Sequence, residues 1–270
     1  MQLYERNYLL GLTEAEKQQY EEVTGRIFGE KRINGPGRVN NFLVYPKAAR
    51  MCKSLFPNNY LDVAELRDVE RIDNANEEFL SLLNNKDCTE RNILNFIKEK
   101  EYYHIIGSII WGLSINIGNH GAYLFPEFQL GSSYQADYLL IGKSSGGFEF
   151  IFIELESPYG NITLQDGQLG AEFRDGISQL EDWRRWLPAN YSSFGEYMRK
   201  RKNSAFDLPE EFYVLDMSRF HYVVVAGRRE NFNDKTYIIK RERKKKDDIE
   251  IIHYDNLFDF SNNLIGKQTY

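Results

Sequence analysis

The chain is poor in cysteine, with two in 270 residues, Cys52 and Cys88. Neither belongs to a C-x-x-C pair or lies near a histidine at ligand spacing, so no metal or redox motif rests on them. They read as buried or incidental thiols of a reducing compartment. Long apolar runs are also lacking. The longest near the middle, residues 105–117, is broken by Gly107, Ser108, Gly112, Ser114 and Asn116. No stretch therefore reaches the roughly 18 consecutive apolar residues of a membrane span. The N-terminal residues have no basic region followed by an apolar one, so neither a signal peptide nor an anchor is expected. The expectation is a soluble, cytoplasmic protein with no membrane partner. Internal repeats and long low-complexity segments are missing as well. Positive charge is in deficit: 34 Lys and Arg against 40 Asp and Glu give −6. Taken alone, that balance points mildly away from nucleic acid.

What is present is globular. Hydrophobic residues make up 42% and charged residues 27%, which excludes a disordered tail, a collagen or a coiled-coil rod. A chain of this length buries a sizeable core. The charge is unevenly spread. Residues 60–101 carry 11 acidic and 6 basic side chains, whereas residues 199–246 carry 14 basic and 7 acidic ones. The basic segment holds two clusters, Arg199-Lys200-Arg201-Lys202 and Lys240 to Lys246, the latter ending in Lys244-Lys245-Lys246. Such clusters suit a solvated loop or hairpin tip, or a patch that contacts phosphates.

The N-terminal residues to about 58 read as irregular, with a Gly35-Pro36-Gly37 turn and with Pro46 and Pro57 interrupting any long helix. Apolar spacing predicts a helix over 63–83 and a second one from Thr89, an N-cap with Glu90 in the first turn. Strands are expected at 123–130, 136–141 and 148–155, with a hairpin loop at 143–147. A loop over 157–170 leads to a helix over 172–187 closed by Pro188. Further strands are expected at 221–226, 236–239 and 249–254, then a terminal helix over 255–264. This order is that of an α/β protein.

The informative residues are carboxylates. Glu154 and Glu156 stand two apart at the end of an apolar strand, so both leave the same face. Like charges so placed repel, and a sheet gains nothing from them. A divalent cation removes the repulsion, and hard oxygen ligands suit Mg²⁺, with Mn²⁺ as a substitute. Asp137 opens the neighbouring strand of the hairpin and would lie at the same end. Gln179 follows on the next helix, with Trp183 and Trp186 on its side. A solvent-exposed strand end would account for any one of these acids, and the helix dipole would account for Glu90.

The series of a helix-borne Glu90, Asp137 in a short strand, Glu154-Leu-Glu156 ending the next strand and Gln179 on the following helix resembles the PD-(D/E)XK nucleases. More narrowly it resembles the Shedu antiphage nuclease family. The supporting segments are Pro126-Glu-Phe-Gln-Leu-Gly131, Ala136-Asp-Tyr-Leu-Leu140, Phe152 to Pro158, Ile177 to Trp183, Val224-Val-Ala-Gly-Arg228 and Ile251 to Leu257. The resemblance spans about residues 89–260. It implies a restriction-endonuclease-like mixed β-sheet core flanked by helices over residues 86–270, with a variable, mainly helical or irregular N-terminal region over 1–85. It further implies metal-dependent cleavage of double-stranded DNA without sequence preference, and a homo-oligomer. Asp137, Glu154 and Glu156 would hold the metal with the Leu155 carbonyl, and Gln179 would orient water or phosphate. Glu90 would complete the site. Arg199, Lys200, Arg201, Lys202, Lys244, Lys245 and Lys246 would meet the DNA backbone. One position departs from the commonest family pattern. Glu156 stands where a lysine is usual, which shifts its role to metal ligation and general-base help. It also leaves room for a nuclease fold that binds nucleic acid or a protein without cutting. A glycosidase is disfavoured, because two carboxylates on one strand face are not the opposed pair which that chemistry needs.

Overall fold

The computed structural model describes residues 2–19, 21, 41–113, 115, 117 and 120–270. The Gly35-Pro36-Gly37 turn lies outside them. Helices α1 (Asn41–Val44), α2 (Pro46–Lys53), α3 (Val69–Asn84), α4 (Glu90–Glu99), α5 (His104–Gly107) and α6 (Ile109–Gly112) precede a sheet. Strands β1 (Ala122–Leu130), β2 (Tyr134–Ser144) and β3 (Gly147–Leu155) form an antiparallel meander. Helix α7 (Ala171–Arg199) then crosses to β4 (Phe220–Val225), and α8 (Asp234–Asp247) crosses to β5 (Ile249–Ile252). Both of these strands run parallel to β3. The sheet order is β1-β2-β3-β4-β5, and α9 (Tyr254–Asn262) follows. This is the mixed, helix-flanked sheet expected from the sequence.

The period of β3 explains its wholly apolar run. Phe148, Phe150 and Phe152 enter a core under α7, while Ile151, Ile153 and Leu155 enter a second core. The second core is completed by residues of α3, α4, α5, α6 and α9. A strand covered on both faces has no polar alternation. Residues 61–83 supply Leu61, Leu66, Ile72, Phe79 and Leu83 to this core, so the N-terminal segment buttresses the sheet directly.

Several local expectations need correction. The helix expected from residue 63 begins at Val69. Glu65–Arg67 is a 3₁₀ turn, and the Asp68 side chain caps the Arg71 N–H. The segment to about residue 58, expected to be irregular, holds α1 and α2; Pro46 divides them, and Pro46 and Pro57 each start a helical turn, because a first-turn N–H has no intrahelical partner to lose. Helix α7 breaks just after Pro188, at Asn190 (φ −131°, ψ 20°), and a second helical stretch runs on to Arg199. Asn190 Nδ2 donates to the Trp186 carbonyl at 2.9 Å, and burial of Tyr191, Phe194 and Met198 carries the last turns. Residues 236–239 are helix, not strand. Asn233 caps them by accepting from the N–H groups of Lys235 and Thr236, and Tyr237 and Ile238 stay exposed. The basic cluster is therefore the end of a helix, not a hairpin tip. Cations are favoured there by the helix dipole.

Candidate active site

Glu154 and Glu156 continue the even series of β3 beyond Phe152, so they leave the sheet on the α7 side where its apolar packing stops. Helix α7 comes down closely at that point. A Cβ on Gly176 would lie 2.6 Å from Val224 Cγ2 and 3.0 Å from Glu156 Cγ. Glycine costs about 0.5–1 kcal/mol in a helix interior relative to alanine, and here it permits the contact. One turn on, Gln179 Nε2 donates to Glu156 Oε1 at 3.3 Å. Behind the strand end, the Tyr254 hydroxyl donates to the Glu156 carbonyl at 2.6 Å.

Asp137 reaches the same place from β2. Tyr138 pairs with Ile153, so Asp137 stands beside Glu154. Its Oδ2 accepts the Leu155 N–H at 2.8 Å. Glu90 arrives on the first turn of α4, where Thr89 and Asn92 form a capping box.

Glu154 is 7% exposed and Glu156 9%. Burial and then the neighbouring Asp137 push the Glu154 carboxyl up, and burial raises Asp137 against the pull of the Leu155 N–H. Burial, followed by Glu90, Glu172, Asp175 and Asp137, pushes Glu156 up to about 8. Burial and Glu172 raise Glu90, partly offset by Arg91. The charged groups acting most strongly on Asp137, Glu154 and Glu156 are all acidic. Glu154 Oε2 is buried without a hydrogen-bond partner. An orphaned carboxylate oxygen among uncompensated acids is a donor set that suits a hard divalent cation. Among the described residues, however, no three His, Cys, Asp or Glu are drawn to metal-holding spacing. Asp137 spends one oxygen on the Leu155 N–H.

Three acids were not singled out from the sequence. Glu172 and Asp175 lie on the first turns of α7, on the strip that carries Gly176 and Gln179, and their spacing to Gln179 is a readable signal. Glu127 stands opposite Asp137 and raises it. Its left-handed φ of 50° could not be read from sequence. At that rung the alternation slips: Tyr123 and Phe125 enter the α7-side core, then Phe128 and Leu130 do.

The basic clusters lie apart from the acids. Helix α8 runs beside α7, with Arg243 on Glu181 at 3.2 Å and Arg184 donating to the Asp247 carbonyl. Lys244 is held by Asp248 and Glu250, whereas Lys245 and Lys246 are exposed. Arg199, Lys200, Arg201 and Lys202 sit around the far end of α7. That end is about 30 Å along the helix from Gln179, at about 1.5 Å per residue. Lys202 Nζ donates to the Phe206 carbonyl. Arg228 has no place among the acids. It binds Asp255 through two nitrogens and the Leu83 carbonyl and Tyr159 hydroxyl through a third, tying α3 to α9.

No described helix is long and apolar enough to cross a membrane. No curated protein matches the chain. A family model described as Shedu protein SduA, C-terminal, matches residues 87–258. The matched span is well over half of the chain and contains every acid of the site, from Glu90 to Asp175. The chain belongs to the Shedu family.

Proposed function

We propose that the protein is a metal-dependent endonuclease that hydrolyses DNA phosphodiesters in antiphage defence. One observation carries the reading. Glu154 is buried beside Asp137 and Glu156 with an unpartnered Oε2 and no compensating cation among its strongest neighbours. Asp137, Glu154 and Glu156 would hold Mg²⁺ or Mn²⁺, and the ion would supply Lewis-acid activation of water and phosphate. Gln179 orients Glu156 through Oε1 and keeps that carboxylate turned towards α7. Glu156 is then the group to accept a proton from water. Exposed Arg199, Lys200, Lys245 and Lys246 would contact backbone phosphates, which gives affinity without sequence information. Membership of the Shedu family supports the defence role. The nuclease unit is proposed to run over residues 86–270 and to act as a homo-oligomer.

The test is cleavage of linear and circular DNA with Mg²⁺, Mn²⁺ or EDTA. Cutting should need the metal and be lost in Glu154→Ala. A variant that cuts as fast as the parent overturns the site. The second reading, a nuclease fold that binds without cutting, is favoured by Glu156 at the usual lysine position. Binding without cleavage under every metal would establish it.

A further inference from the structure

A cleft of about 390 Å³ opens between the β1–β2 turn and the C-terminal half of α7. Gln129, Trp186, Tyr197, Lys200 and Arg201 are among the residues that line it, with Glu196 as its one acid. Its Trp186 end is the one nearer the acids, about 10 Å along α7 from Gln179 at about 1.5 Å per residue. Gln129 pairs with Gln135, and Gln135 is only about 7 Å along β2 from Asp137 at the rise of a strand. Resting on the nuclease reading above, we propose that this cleft holds an unpaired nucleotide of the substrate strand. Its base would stack on the Trp186 indole, and its phosphates would meet the Arg201 guanidinium and Lys200 at the other end of the cleft.

The walls are built for a flat cationic and aromatic contact. The Arg201 guanidinium lies over the Tyr197 ring at 3.4 Å from its centroid, and its Nη1 donates to the Tyr197 carbonyl at 3.2 Å. Tyr197 is in turn held by the Phe128 ring at 4.6 Å. The arginine plane is thus fixed before anything binds. On the β1–β2 side, the turn is cut back to seat Trp186. Gly131 has φ 64°, and a Cβ there would lie 2.9 Å from Trp186 Cζ2. Lys200 is exposed at the rim, next to Arg199. Aromatic and guanidinium planes beside a cationic rim are how proteins hold single-stranded nucleic acid. A base inside a duplex has both faces covered and cannot enter. A free nucleotide carries the same groups, so length of strand separates the two sources.

The full chain carrying Glu154→Gln, in EDTA, is titrated with octathymidylate, a blunt duplex of the same length and thymidine monophosphate, following tryptophan fluorescence. Octathymidylate should quench the emission. Trp186→Ala should weaken its binding about tenfold, the effect of losing one stacked base. Lys200→Glu, an exposed change that spares the fold, should weaken it and flatten its salt dependence. Duplex binding should respond to Trp186→Ala by less than twofold. Octathymidylate binding that is unchanged in both variants overturns the proposal. So does thymidine monophosphate binding as tight as that of the oligomer, which would mark a free-nucleotide site. A protein that binds through Trp186 yet cuts no DNA with any metal loses the nuclease reading and keeps the cleft. One that cuts but binds independently of Trp186 and Lys200 does the reverse.

Discussion

The carboxylate of Asp137 accepts the backbone N–H of Leu155, the residue between Glu154 and Glu156, at 2.8 Å. The side chain thus fixes the strand end that carries the other acids, in addition to its proposed ligand role. The two tasks separate by substitution. Asp137→Asn keeps an acceptor for Leu155, so it should fold like the parent and lose cleavage. Asp137→Ala also strands a partly buried N–H, which costs about 1–3 kcal/mol. Urea unfolding of both variants checks the difference, and equal stability would dismiss the structural role.

Gly176 sets the approach of α7 to the site. Gly176→Ala gains helix propensity but forces Val224 and Glu156 aside. Overpacking of this kind costs about 1–3 kcal/mol. The variant should melt lower and cut more slowly, because Glu156 and its Gln179 contact move together. Thermal denaturation read beside a cleavage assay measures both. Unchanged melting would mean that the helix shifts freely.

Arg228 should matter for stability alone. It is 9% exposed, and its guanidinium satisfies Asp255, Leu83 and Tyr159 at once. Arg228→Met leaves Asp255 with the Arg229 N–H as its remaining hydrogen bond, and losing the charged partner should cost about 1.5–3 kcal/mol. Arg228→Lys cannot reproduce the fork and should recover little. Denaturant midpoints test this, and full recovery by lysine would show that charge alone suffices.

His221 gives a pH dependence. Its Nδ1 lies 3.0 Å from Asp248 and its Nε2 2.9 Å from Glu149. Burial pulls the imidazole down, but the two carboxylates outweigh it and hold it above its usual value. Arg219 on Glu149 and Lys244 on Asp248 are the cations facing the cluster. A base raised by folding contributes stability in full below its unfolded pKa of about 6.5. That stability is lost as pH rises through the folded value. His221→Gln should therefore flatten the decline of unfolding free energy above neutral pH. Burial holds His104 down at about 3 and His253 at about 4, so those two act with the opposite sign and erode stability as pH falls below about 6.5. An unchanged alkaline slope in His221→Gln would rule out the cluster as its source.

Legibility in the sequence followed the range of the forces involved. The period of β3 was readable, and it placed Glu154 and Glu156 on one face correctly because strand alternation is a local rule. Thr89 and Glu90 were readable because a helix cap is built from neighbours. The Tyr237-Ile238 run misled, since β-branched apolar residues favour strands only where a sheet buries them, and Asn233 capped a helix first. Pro188 did mark a break, at Asn190, but the second helical stretch beyond it was not readable, because burial of Tyr191, Phe194 and Met198 carries it.

The amino-acid sequence by itself therefore determined the order of the first four strands with the helix between the third and fourth, the faces of β3, and the family. Tertiary structure decided what no local rule reaches. It brought Asp137 against Leu155 across the hairpin and opposed Glu127 to Asp137 through a left-handed backbone. It also set Gly176 against Glu156, and it moved the basic clusters away from the acids along α7 and α8. Those relations depend on strand register and helix approach, which are fixed by packing of the whole core rather than by the residues at the site.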